Sequence, residues 1–216
     1  MVDTMKITIV YDNEVYKKGL TSDWGFSCLI EAENTPKILF DTGARGEMLL
    51  SNMKELGIDP CSIDEIFISH AHWDHTGGLL DFLKVNKKCK IYAPPSFTGP
   101  AEREVITISE PTKIHENVFS TGELAGIEQS LVVRMDKGLV VVAGCSHPGV
   151  GNILKAASKL GKVYALIGGL HGFREFNLIQ DLEFVCPAHC TQFTSEIESL
   201  YPEKCVEGGA GKVITL

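Results

Sequence analysis

His70-Ala71-His72-Trp73-Asp74-His75 follows directly on the apolar run Ile66-Phe67-Ile68. Four side chains able to ligate a metal fall within six residues, and three of the seven histidines of the chain are among them. An apolar run that ends in such a cluster reads as a strand delivering imidazoles and a carboxylate to one point. His70 and His72 lie two apart, so they share a face if extended geometry continues. Asp74 and His75 then fall in the turn and can face a second cation. Neutral imidazole with carboxylate suits zinc first, with iron or manganese as alternatives.

Outward from this cluster, further histidines sit where apolar runs end. Phe40-Asp41-Thr42-Gly43 closes one run, Gly144-Cys145-Ser146-His147 another, and Pro187-Ala188-His189-Cys190 a third. Asp41 suits either an acceptor for a ligand imidazole N–H or a helix N-cap. His171 follows the run at 163–167 and Gly168-Gly169. Its position suits substrate contact or proton transfer better than ligation, the alternative being a polar turn residue. His115 lies in the polar stretch Pro111-Thr112-Lys113-Ile114-His115-Glu116-Asn117, which reads as loop.

The pattern His-x-His-x-Asp-His, with Phe40-Asp41-Thr42-Gly43, resembles the metallo-β-lactamase superfamily. Gly144-Cys145-Ser146-His147-Pro148-Gly149, Gly168-Gly169-Leu170-His171 and Pro187-Ala188-His189-Cys190-Thr191 are similar to its branch of dihydropterin-linked ribofuranosyl-aminobenzene 5′-phosphate synthases. The resemblance implies an α+β fold, a four-layer αββα sandwich, in a single domain over 1–216. It also implies two divalent metal ions, zinc before iron or manganese. His70, His72 and a later histidine would hold one metal, and Asp74, His75 and His189 the other. The chain departs from the common pattern at Cys145, which stands where a bridging Asp is expected. His147, rather than His115, takes the role of the later histidine. Cys145 is then either a thiolate between two cations or a small packed thiol. Asp74 and His171 are the residues assigned to the reaction itself.

The expected function is a metal-dependent hydrolase that uses a hydroxide held in a dinuclear site on an ester-like or phosphoester small molecule. A synthase joining a dihydropterin to a ribofuranosyl-aminobenzene phosphate is the first alternative. An iron-dependent redox enzyme is the second, weakened by His72, since electron-transfer relatives carry Glu there. Structural metals would be a non-catalytic fourth reading.

Bulk properties narrow the partners. The formal charge of −8 argues against binding nucleic acid by general electrostatics, leaving a small-molecule substrate, phosphorylated or not. No apolar run approaches the ~18 residues needed to cross a bilayer. Met1-Val2-Asp3-Thr4-Met5-Lys6 has no apolar core of a secretory signal, and seven cysteines form no paired framework. A cytoplasmic location is the expectation. Oligomeric state is left open.

Short β-rich runs are expected at 6–11, 26–31, 37–40, 65–69, 90–93, 130–135, 139–143, 163–167, 184–187 and 212–215, with a hairpin turn at Asp136-Lys137-Gly138. Helices are expected at 46–56, 77–85, 151–160 and 194–200. Residues 94–111 read as a loop or a lid over the site.

Overall fold

The computed structural model describes residues 2–216. Thirteen strands form two sheets. The first sheet contains β1 (Met5–Tyr11), β2 (Ser27–Ala32), β3 (Ile38–Phe40), β4 (Glu65–Phe67), β5 (Lys90–Ala93), β6 (Val105–Thr107) and β13 (Val213–Thr215). Their order is β13-β1-β2-β3-β4-β5-β6. The second contains β7 (Thr112–His115), β8 (Val118–Ser120), β9 (Leu131–Met135), β10 (Gly138–Ala143), β11 (Val163–Gly169) and β12 (Phe184–Ala188), ordered β12-β11-β10-β9-β8-β7. Helices α1 (Gly46–Glu55), α2 (Trp73–Thr76) and α3 (Leu79–Val85) follow strands of the first sheet. Helices α4 (Val150–Ala157) and α5 (Thr194–Leu200) follow strands of the second.

The central strands are apolar on both faces because both faces are covered. In β3, Ile38 and Phe40 enter the core between the sheets, whereas Leu39 faces α1 and α3. In β10, Val140 and Val142 enter that same central core, and Leu139 and Val141 pack with Val150, Ile153 and Ala157 of α4. Period-two alternation in runs of Val, Ile and Leu thus builds three cores between four layers, the expected αββα sandwich. Phe40 stacks on Phe67 at 5.6 Å and meets Phe26 at 6.2 Å, and Phe26 in turn lies 6.4 Å from the His189 ring.

Topology places the chemistry. Strand β3 runs parallel to β4, and β10, β11 and β12 are mutually parallel. Strand β1 is antiparallel to β2, which is antiparallel to β3, so β1 and β3 run in the same sense. The carboxyl ends of β1, β3, β4, β10, β11 and β12 therefore open on one edge of the sandwich.

Three expectations need correction. Residues 94–111 are not simply a loop or lid: they include the edge strand β6, and Arg103 donates to the carbonyls of Lys87 and Cys89, tying the segment to the region between α3 and β5. His115 is on strand β7 rather than in loop, with its Nε2 2.7 Å from Glu65 Oε2. Asp41 caps no helix, because α1 begins after Arg45.

Candidate metal centre

Four of these strand ends, β3, β10, β11 and β12, are followed by an unusual backbone conformation. Asp41, Ser146, His171 and His189 all have positive φ, between 47° and 61°. Non-glycine residues there carry backbone strain, and such strain clusters at functional sites. Close approach of the turns also demands Gly144, where a Cβ would lie 2.3 Å from Ser69 Oγ. A Cβ at Gly78 would lie 2.2 Å from the Thr42 carbonyl oxygen.

The turns bring His70, His72, Asp74, His75, Cys145, His147 and His189 together. Hydrogen bonds behind the imidazoles decide which nitrogen faces inward. His75 Nδ1 lies 2.7 Å from Asp41 Oδ2, so Nδ1–H donates and Nε2 keeps its lone pair. The Ser69 hydroxyl donates to Asp41 Oδ2 at 2.6 Å and is left to accept from His70 Nδ1 at 2.9 Å. Asn13 Oδ1 accepts from His189 Nδ1 at 2.9 Å, its amide nitrogen being committed to the His189 carbonyl. All three rings thereby turn an unprotonated Nε2 toward one space, the arrangement in which outer partners fix a ligand's tautomer.

Two donor groups share one member. Asp74, His75, Cys145 and His189 form one, and His70, Cys145 and His147 the other. His75 Nε2 is 3.1 Å from Cys145 Sγ and 3.2 Å from His189 Nε2, and Asp74 Oδ2 is 3.3 Å from His189 Nε2. His72 Nδ1 lies 3.1 Å from both His70 Nε2 and His147 Nε2. Lone-pair nitrogens at that separation repel unless something positive lies between them. Two nitrogens each about 2.0–2.1 Å from one zinc would fall at such a spacing. The donor set therefore fits divalent cations.

The electrostatics agree. Burial holds His70 and His75 well below the ordinary histidine range, with neighbouring imidazoles adding to the effect. Burial also lowers His147, to about 4, with help from His72 and His171. Asp74 is held below the usual carboxylate range: burial opposes ionisation, but His189 and His75 prevail. A hydrogen bond with Cys190, then burial, pushes the Cys145 thiol up, so the thiolate there needs a cation beside it.

His171 belongs to neither group. It is exposed, its ring centroid 5.2 Å from that of His147 at the mouth of the site. It borders a cavity of about 460 Å³ formed with Ser146, Asn152 and Phe173 among others. His115 lies elsewhere, on Glu65.

Several contributors gave no signal in the sequence. Glu128, fully buried in the turn before β9, accepts the backbone N–H groups of Gly144, Cys145 and Ser146 on Oε1 and that of His147 on Oε2, at 2.8–3.1 Å. One carboxylate thus shapes the turn that carries Cys145 and His147. Burial pushes its carboxyl up to about 7, against the pull of those same N–H donors. Asn13 and Trp24 come from the segment after β1, and no local pattern marks either one.

Parallel strand ends from two packed sheets, meeting in clusters of metal donors between helical layers, define a metal-dependent enzyme of the αββα class. The chain belongs to the metallo-beta-lactamase superfamily, whose family model matches residues 25–154. It is 31% identical to 7,8-dihydropterin-6-methyl-4-(beta-D-ribofuranosyl)-aminobenzene-5'-phosphate synthase of Methanocaldococcus jannaschii, covering 99% of this chain and 97% of the synthase. That alignment runs over 287 positions against 216 residues here, so the synthase carries segments this chain lacks. Among solved structures, Tm1679, described as a metal-dependent hydrolase of the beta-lactamase superfamily, superposes with a TM-score of 0.76 at 26% identity, over 97% of this chain and 98% of Tm1679. The short form of human tRNase Z shares the fold, with a TM-score of 0.66 at 14% identity over 97% of this chain and 98% of its own. Among the described residues, no helix is long and apolar enough to cross a membrane.

Proposed function

We propose that the chain is a hydrolase of an ester-like or phosphoester small molecule, working with two divalent cations, zinc first. The observation that carries this reading is the convergence of unprotonated Nε2 atoms from His70, His75 and His189 on two donor groups that share Cys145. His70, His72 and His147 would hold one cation and Asp74, His75 and His189 the other, with Cys145 placed between the two groups. When bound, such cations would supply acidification of a water and polarisation of the substrate oxygen. The residues around them do the rest. Asp41, Ser69 and Asn13 fix the rings, Asp74 accepts a proton from water on Oδ1 while Oδ2 faces the imidazoles, and the His171 imidazole gives one to the leaving oxygen. The resemblance to Tm1679 supports hydrolysis.

A second reading, group transfer to a dihydropterin, is favoured by the likeness to the synthase. A panel of phosphodiester, lactone and dihydropterin substrates separates the two. Turnover of a phosphodiester or lactone, abolished by chelation and restored by zinc, supports hydrolysis. Consumption of an activated dihydropterin and its aminobenzene partner, with release of the pterin's leaving group to give the joined product and no hydrolysis of the other substrates, replaces it by the second reading.

Cys145→Ser, loaded with cobalt, should lose the thiolate charge-transfer absorption that the parent shows. An unchanged spectrum would make Cys145 a packing residue. His171→Ala should keep the parent's metal content and lose about 10²–10⁴-fold in turnover, the usual worth of one positioned proton donor. One metal fewer would make it a ligand instead.

A further inference from the structure

We propose that Trp24 is a positioning residue for the cation assigned to Asp74, His75 and His189: its indole N–H holds the Asp74 carboxylate at the angle that faces the two imidazoles. The inference rests on the two-cation reading. Trp24 Nε1 donates to Asp74 Oδ2 at 2.9 Å. That same oxygen lies 3.3 Å from His189 Nε2 and 3.8 Å from His75 Nε2. The Trp24 ring lies against the His189 ring, centroids 5.2 Å apart and planes at 59°. One residue therefore touches two of the three terminal donors.

The placement is not explained by hydrophobic burial. Trp24 is 50% exposed, so the core gains little from it. Its surroundings hold it in place instead. The Trp24 N–H donates to Asp23 Oδ1 at 2.8 Å, the Gly25 N–H to Asn13 Oδ1 at 3.0 Å, and the Phe26 N–H to the Asp74 carbonyl at 3.2 Å. Asn13 is the outer partner of His189, so one loop braces both Asp74 and His189. Indole donates and cannot accept, so it favours the ionised carboxylate, whose oxygen is the stronger acceptor. In the other donor group His72 has no such outer partner: it is exposed, and the near neighbours of its Nδ1 are the His70 and His147 Nε2 atoms, each 3.1 Å away.

The test titrates chelator-treated protein with zinc against a chromophoric chelator, in the parent, Trp24→Phe and His189→Ala. Phenylalanine keeps an aromatic ring at a half-exposed position and removes the N–H together with the fused pyrrole portion, a small loss of packing for the fold. In Trp24→Phe, the equivalent that His189→Ala loses should bind about 10–100-fold more weakly, the usual cost of an outer partner, and the other should be unchanged. A second measurement uses Trp73→Phe, which leaves Trp24 as the one tryptophan, since the chain has two. Cobalt should quench its emission in step with that same equivalent. If the parent binds two equivalents and Trp24→Phe binds both with parental affinity, the inference is overturned and the two-cation reading stands. Quenching that follows the other equivalent overturns it as well. A parent that binds fewer than two overturns the two-cation reading itself, and this inference with it.

Discussion

His189→Ala is expected to bind one metal equivalent where the parent binds two, and His70→Ala to lose the other. His189 contributes the only imidazole from the second sheet to its group, within 3.3 Å of both Asp74 and His75. His70 enters the other group from the first sheet, fully buried and backed by Ser69. Cation assistance is worth several kcal/mol of barrier, so turnover in each variant should fall by about 10³-fold or more. Elemental analysis with a thermal melt reads the result. His189→Gln, which keeps a polar side chain beside Asn13, serves where the alanine variant is unstable. Two equivalents in both the His70 and His189 variants would sink the assignment.

In chelator-treated protein the buried histidines should contribute a stability that declines as the pH falls below about 6.5, opposed by the raised carboxyls of Glu128, Asp41 and Asp12. His70, His75 and His147 all have folded pKa values below the ordinary 6.5. Below that value the unfolded chain takes up protons that the folded chain refuses, so stability is complete above it and declines as pH drops. For His147 the decline stops near its folded value of about 4. Each depressed histidine contributes about 1.4 kcal/mol per pH unit, so His70 and His75 together give about 3 kcal/mol, and the partly solvated His147 adds less. Glu128, Asp41 and Asp12, whose carboxyls burial raises, take up protons in the folded chain over the same range and offset this loss, so the histidine contribution is read as a difference. Urea unfolding of the parent and of His70→Ala at pH 7.5 and 5.5 measures it: over that interval the parent should change unfavourably by about 1.4 kcal/mol relative to the variant, and an equal change in both would refute the sign.

The legible part of this molecule was the part written locally. His70, His72, Asp74 and His75 occupy one short segment, and Asp41, Cys145, His147 and His189 each end an apolar run, so each could be placed by reading along the chain. The supports could not. Glu128 reaches Cys145 across 17 residues, Trp24 reaches Asp74 across 50, and Asn13 reaches His189 across 176. None of these partners sits in a pattern that composition or periodicity marks. The same holds for β6, β7 and β8, strands of three or four residues with Thr, Lys and Ser among them. Pairing with neighbours, not intrinsic preference, makes them strands.

The long separations also order events in time. His75 leaves the ribosome 114 residues before His189, its neighbour in the finished centre. At the usual pace of synthesis of about 5–20 residues per second, the gap lasts about 6–23 s. Throughout it the nascent chain displays the first cluster without the second sheet's imidazole, and Asn13 has no His189 to orient. On the two-cation reading, firm capture of the cation proposed for Asp74, His75 and His189 would wait for β12 to dock, which makes metal loading at that position an expected late step of biogenesis rather than a nucleus for it.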